Sequence, residues 1–327
     1  MTDAASGRPP FETYYTATLE PHLVEIEEER RGLVRQTAIE FAIALAVIVG
    51  AILMTANQLG AAFVFIIAMV VAVVIVAWRA SARMKAYRQE FKTRVITKLV
   101  EYVDPHLAYT PENFLGQDMF EESGLFSKKP DAYDGGDLIE GTLGATKIAF
   151  SEVHAQYRTT TTDGQGHVRT QWHTIFKGVL FVADFNKAFL SRTFVLPDTA
   201  EQLLGSFGQK LQALNPERNQ LIKLENPEFE RAFVVYGDDQ IEARYILSPG
   251  LMDRILRYQQ RTGEELRLSF VDGCVYVAIP SAQNLFEPNI LSTVLDRGRL
   301  KEYLARLELT TDIVEELNLN TRIWGKT

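Results

Sequence analysis

The chain predicts an α+β protein in which a transmembrane helical hairpin and a helical stalk precede a mainly antiparallel β-sheet domain with packed helices. Three observations carry this. Two apolar runs between Phe41 and Trp78 are separated only by Asn57, Gln58, Leu59 and Gly60, and no charge falls between Glu40 and Arg79. The segments on either side repeat apolar residues every three or four positions. From residue 138 the chain turns to β-branched and aromatic runs punctuated by glycine and polar turns.

Residues 1–10 (MTDAASGRPP) are small, polar and proline-rich, the composition of a disordered tail. From Phe11 the series Phe11, Tyr14, Tyr15, Leu19, Leu23 and Ile26 has helical spacing, so 11–36 reads as a cytoplasmic pre-membrane helix. Pro21 marks either a break or a first-turn position. Residues 37–78 form the hairpin: a bilayer core of about 30 Å needs about 20 apolar residues in helix, and each run reaches that length. Ala42, Ala46 and Gly50 in the first span, and Ala68 and Ala72 in the second, are spaced to let helix backbones approach closely. They serve packing of the hairpin on itself or homodimerisation.

Residues 79–103 continue as an amphipathic stalk, with Met84, Tyr87, Phe91, Val95, Leu99 and Tyr102 on one stripe. The helix before the first span is the economical partner for that stripe. Arg30, Arg31 and Arg35 precede the spans and six Lys or Arg residues from Arg79 to Arg94 follow them, so both termini are expected in the cytoplasm. Arg79, Arg83, Lys85 and Arg88 are the candidates for contact with anionic headgroups; setting topology is the plainer reading of the same residues.

Residues 104–137 mix proline, glycine and acidic residues and read as a connecting region with one short helix near 113–122. The cytoplasmic α+β domain then occupies 138–327, as one body or as subdomains 138–214 and 215–327. Its first part holds four or more strands, with Thr159–Gly166 (TTTTDGQG) at the tip of a long hairpin. Thr199–Leu214 reads as a helix. LIKLE and FVVYG read as short strands, the stretch from Asp238 to Gly263 as two helices broken at Ser248-Pro249, and LRLSFVDGCVYVAIP as a hairpin turning at Asp272-Gly273. A helical region from about 290 to 317 closes the chain.

A net charge of −8 over 327 residues argues against nucleic acid as a partner. The single cysteine, Cys274, lies in an apolar run and can form no intramolecular disulfide, so a buried thiol is expected. GTLGATK (141–147) has the wrong glycine spacing for a phosphate-cradling loop and is flanked by strands. His154, His167 and His173 share one hairpin but lack a fourth ligand at metal spacing, so no metal and no cofactor is expected.

The stretch from Glu225 to Pro249 is the most unusual polar segment. Asp238, Asp239, Glu242 and Arg244 are its weak catalytic candidates, since paired carboxylates do acid and base work if buried together; Asp238, Glu242 and Tyr245 would share a helix face. Helix capping and surface ion pairing explain the same residues.

The two-span hairpin, FKGVLFVADFNK (176–187), FERAFVVYGDDQIEARYIL (229–247) and a late LFEPN, in that order over nearly the whole chain, resemble a bacterial membrane family known as domain of unknown function 3137. The resemblance implies a multi-pass protein of the bacterial inner membrane and brings no catalytic residues with it. A membrane-tethered adaptor or regulatory protein is the expectation, docking a membrane or cytosolic protein through Phe176, Lys177, Asp184, Phe185 and Asn186 and the hairpin tip. A membrane-anchored hydrolase and a headgroup-binding domain are the alternatives. The bilayer is an expected partner, and a homo-oligomer is compatible with the pattern.

Overall fold

A computed structural model describes residues 8–55, 59–162, 164, 166, 168–185, 187–198, 220–282 and 284–320, with the side chains of 51–66, 68 and 220 left aside. Within it the first helical segment, α1 (Phe11–Tyr14), widens into a π turn at Tyr15–Leu19 and resumes as α2 (Glu20–Thr55). Pro21 accounts for the irregularity: it has no N–H to return to the preceding turn, and the wider turn absorbs the lost bond. After α3 (Leu59–Phe91) a second π turn, Lys92–Ile96, leads into α4 (Thr97–Val103), and Asp104-Pro105 ends the run as expected.

The chain divides into two compact units, residues 1–102 with 286–301, and residues 103–285 with 302–327. In the first, α1–α2 runs antiparallel to α3–α4. Phe11 and Tyr14 lie 5.9 and 4.6 Å from the Tyr102 ring, Glu25 pairs with Arg94, and Glu40 with Arg83. The two predicted apolar stripes meet here, since Tyr15, Leu19, Leu23 and Ile26 and, opposite, Tyr87, Phe91, Val95 and Leu99 are all buried. The segment 286–301 belongs to this unit, with Val294 N–H donating to Glu27 and Ile290 C=O accepting from Arg30. Nothing in its composition marks that return.

Among the described residues one helical stretch, Phe11–Gly50, is long and apolar enough to cross a membrane, and none of its apolar window is buried. The turn expected at Asn57 and Gln58 and the Ala68 side chain lie outside the described residues. Ala42 and Ala46 are exposed, and a Cβ on Gly50 would meet nothing within 4 Å. The small-residue strip of α2 therefore faces away from α3. Ile43, Ala44, Val47 and Ile48 instead line a groove of 330 Å³ against Met69, Ala72 and Val76.

In the second unit nine described strands form one antiparallel sheet in the order β1-β2-β3-β4-β9-β8-β5-β7-β6. They are β1 (Leu107–Thr110), β2 (Ala132–Leu143), β3 (Thr146–Thr162), β4 (Val168–Asp184), β5 (Thr193–Pro197), β6 (Gln220–Ile222), β7 (Phe233–Gly237), β8 (Arg267–Val271) and β9 (Cys274–Pro280). Short helices α5 (Gln117–Glu122), α6 (Pro227–Ala232) and α7 (Gln240–Ile246) join α8 (Pro249–Thr262), α9 (Arg297–Thr311) and α10 (Ile313–Glu316). The sheet takes strands from both sides of residue 215. It also starts earlier than the sequence predicts, because β1 and the first half of β2 come from the stretch that reads as a connector. Their glycines and aspartates hide the strand pattern, which includes a bulge between Gly136 and Ile139 with Asp137 at φ 62°.

Strands β5, β8 and β9 are almost wholly buried, so they read as continuous apolar runs rather than as alternating ones. Phe120, Leu125, Phe176, Leu180, Phe194 and Tyr276 belong to one core cluster. The expected hairpin turn holds, with Asp272 at φ 50° and Gly273 at φ 76°, both left-handed. GTLGATK is the turn between β2 and β3, with Gly144 at φ 62°. Cys274 is half-buried rather than buried, since it directly follows the Asp272-Gly273 turn at the closed end of its hairpin. The helix expected at Thr199–Leu214 lies outside the described residues.

Candidate functional site

The corner where β5 begins and β7 ends gathers the polar residues that the sequence singles out. Thr193 pairs with Gly237, which brings the chain before β5 alongside the chain after β7. Asp238 N–H donates to Arg192 C=O at 3.0 Å, and Asp238 Oδ2 accepts from Arg192 N–H and Nε at 3.3 and 3.1 Å. Asp239 is the N-cap of α7, accepting from the N–H groups of Ile241 and Glu242 at 2.7 and 2.9 Å. The helix therefore starts after Asp239, and Asp238 does not share a face with Glu242 and Tyr245.

Glu242 reaches back across the corner. Its carboxylate accepts from Leu190 N–H at 3.0 Å and Ser191 N–H at 2.5 Å. Burial raises its pKa, but the hydrogen bonds from Ser191 and Leu190 outweigh that and leave it below the usual carboxylate value. The other end of α7 is held by Lys187, whose Nζ donates to Tyr245 C=O at 2.6 Å and lies 4.7 Å from the Tyr245 ring centroid. Burial lowers the Lys187 pKa. Arg244 donates to Lys223 C=O. Each of the four catalytic candidates is thus engaged in a cap, a clasp or a carbonyl contact.

The same clasp presents apolar side chains outward. Leu190, whose N–H Glu242 holds, is 98% exposed and Ile241, next to Glu242 in the chain, 82%, with Tyr245 part-exposed a turn on. In the same corner Thr193 Oγ1 and Asp238 Oδ1 are buried and have no hydrogen-bond partner among the described residues. Sequence reasoning passes over Leu190, Ile241 and Ser191. A single leucine in a polar loop and an isoleucine in a capped turn carry no periodic signal, and only the pairing of β5 with β7 carries the Leu190–Ser191 backbone to the Glu242 carboxylate.

The predicted docking residues scatter. Phe176 and Phe185 are buried and present no side chain to a partner. Lys177 Nζ approaches Ala282 C=O at 3.4 Å. Asp184 lines an open hollow of 620 Å³ with Lys147, Ala149, Val182 and Cys274. Asn186 lies outside the described residues. Among the headgroup candidates, Arg83 makes two hydrogen bonds to Glu40 and Arg88 pairs with Glu287, whereas Arg79 and Lys85 are exposed. His154 contacts Thr174 and Asp134, His173 contacts Thr159, and His167 lies outside the described residues. No cluster of three His, Cys, Asp or Glu fit for a metal occurs among the described residues.

Fold and site together define an α+β protein with a long apolar N-terminal helix and a large antiparallel sheet. Residues 174–319 match the family described as a protein of unknown function, DUF3137. The match falls on the segments that carry the resemblance and is narrower than the nearly complete coverage expected, leaving the helical N-terminal region outside it. No curated protein matches the chain. Among solved structures, the crystal structure of the mycobacterial trehalose monomycolate transport factor A, TtfA, is similar with a TM-score of 0.36 and 10% identity, covering 68% of this chain and 93% of that one. A likeness at that level carries no functional argument.

Proposed function

We propose that this is a membrane-tethered docking protein without catalytic activity, held in the bacterial cytoplasmic membrane by a two-span hairpin. Both termini and the sheet domain lie on the cytoplasmic side. The observation that carries the reading is the clasp at α7. The carboxylates suited to chemistry are spent holding backbone, and the result of that holding is an exposed pair, Leu190 and Ile241, aimed at a partner. Burying two such side chains supplies about 3–5 kcal/mol, enough to anchor a small interface. Tethering adds to it, because confinement to a surface raises the effective concentration of both partners.

The partner is a protein with an apolar recess, itself in or at the membrane. Crosslinking in native membranes, read by mass spectrometry, tests this. The wild-type chain is expected to capture one reproducible protein through residues near Leu190 and Ile241, and the Leu190→Asp/Ile241→Asp variant to lose it. Equal capture by both chains would sink the proposal. Extraction with alkaline carbonate tests the tether: a chain released from the membrane does not span it.

A further inference from the structure

Beyond Gln156 on one strand and Gly178 on the other, β3 and β4 leave the sheet as a two-stranded ribbon. The last partner of β3 in β2 is Ala132, opposite Gln156, and the last partner of β4 in β9 is Pro280, opposite Gly178. From there Tyr157–Thr162 pairs only with Val168–His173. A two-stranded ribbon in water is marginal by itself. This one is braced at its base on the β3 side, where Asp131 N–H donates to Gln156 C=O and Asp131 Oδ2 accepts from Arg158 N–H, both at 2.8 Å.

Those two bonds fix which backbone groups point outward. Gln156 and Arg158 turn their amides away from β4, so by antiparallel alternation Thr160 and Thr162 do too. The opposite numbers of Arg158, Thr160 and Thr162 on β4 are Trp172, Thr170 and Val168, whose N–H and C=O groups therefore point away from β3. No strand pairs there among the described residues, and all three side chains are exposed, Trp172 by 50% and Val168 by 64%. The edge carries no proline, and its charges are confined to Arg169. An edge of this kind is a template for another strand.

We propose that the β4 edge pairs antiparallel with the same edge of a second copy of this chain, about a twofold axis at Thr170. Register decides the occupant. With the axis at Thr170, all three outward positions meet outward positions: Thr170 faces Thr170, and Val168 and Trp172 face each other twice. This closes a run of six backbone hydrogen bonds. Threonine pairs and aromatic–β-branched pairs are favoured cross-strand neighbours, and Arg169 falls opposite Gln171 rather than opposite itself. An axis at Arg169 would set that arginine against itself and leave Trp172 without a strand partner, and an axis at Gln171 would set Arg169 opposite His173. An axis at Trp172 would drive the second strand onto Phe176, where the sheet closes. Side-chain pairing and charge together favour the Thr170 register, in which the segment is self-complementary as an isologous interface requires.

The test uses the full-length chain in lipid nanodiscs, with Cys274→Ala as background. Residues paired across the axis sit about 5.5 Å apart at Cα, within disulfide range. Thr170→Cys is expected to form a disulfide-linked dimer under mild oxidation at least tenfold faster than Thr159→Cys, which lies on the other strand. Thr170→Pro removes an outward N–H without touching a β3 bond, and is expected to raise the dimer dissociation constant at least tenfold by light scattering. Equal crosslinking of the two cysteine variants, or a wild-type chain that stays monomeric, overturns the proposal. So does Trp172 emission that follows anionic lipid content but not protein density, which would give the ribbon to the bilayer instead.

Discussion

Glu27 and Arg30, one turn apart in α2, meet through two hydrogen bonds, Nε to Oε2 at 2.9 Å and Nη2 to Oε1 at 2.8 Å, with 4% and 12% of their side chains exposed. The pair also ties down the returning segment, since Glu27 accepts from Val294 N–H and Arg30 donates to Ile290 C=O. A fork-on-fork pair of this kind fixes geometry as well as charge.

The Arg30 guanidinium, opposed by burial and helped by Arg31 and Val294, holds the Glu27 carboxyl down at about 2 instead of 4.5. A folded-state pKa below the unfolded one means that the contribution is complete above about pH 4.5 and is lost as pH falls toward 2. We expect that contribution to be about 2 kcal/mol once screening is allowed for. Glu27→Gln should lose about that much at neutral pH and flatten the acid limb of the stability profile. Denaturation of both chains from pH 7 to 2 checks it; parallel profiles would refute the assignment.

Removing the α7 clasp should loosen one loop rather than the sheet. Glu242→Ala leaves the amides of Leu190 and Ser191 without their acceptor, a loss of about 1–3 kcal/mol. Amide exchange should rise at Leu190 and Ser191 and stay unchanged in β4 and β9. A uniform rise across the sheet would mean that the clasp is part of the global core.

Leu190→Asp/Ile241→Asp should be nearly silent for folding, within about 0.5 kcal/mol, because neither side chain is packed. Equal denaturation midpoints for variant and wild type are expected. A large loss would show that the two side chains are covered by the protein itself, which would also remove them as a docking pair.

The Asp272-Gly273 turn should be intolerant at its second position. A side chain at φ 76° is strained, so Gly273→Val is expected to cost about 1–2 kcal/mol, whereas Gly263→Asn, at the left-handed end of α8, should cost less. Thermal shifts of the two variants give the comparison directly.

Much of this molecule follows from local pattern. The apolar length of α2, the facing stripes of the stalk, the break at Ser248-Pro249 and the Asp-Gly hairpin are each dictated within about twenty residues, because helical and strand periodicity and turn chemistry are local physics. Connectors disguised as loops, such as β1 and the start of β2, were not legible, since glycine and aspartate mask a strand that is stabilised by its neighbours rather than by its own composition.

The candidate sites divide the same way. The sequence by itself determined that an aspartate would serve as a helix cap in the 225–249 stretch and that a polar segment would lie toward the end of a long hairpin, although β3 runs on to Thr162. Only the tertiary structure decided that Glu242 would grip the Leu190 loop, that Phe176 and Phe185 would be core, and that residues 286–301 would return to the helical unit. Each of these depends on pairing between segments some fifty or more residues apart. Such contacts form through burial and hydrogen bonding of the whole sheet and stalk, and no window of sequence contains both partners.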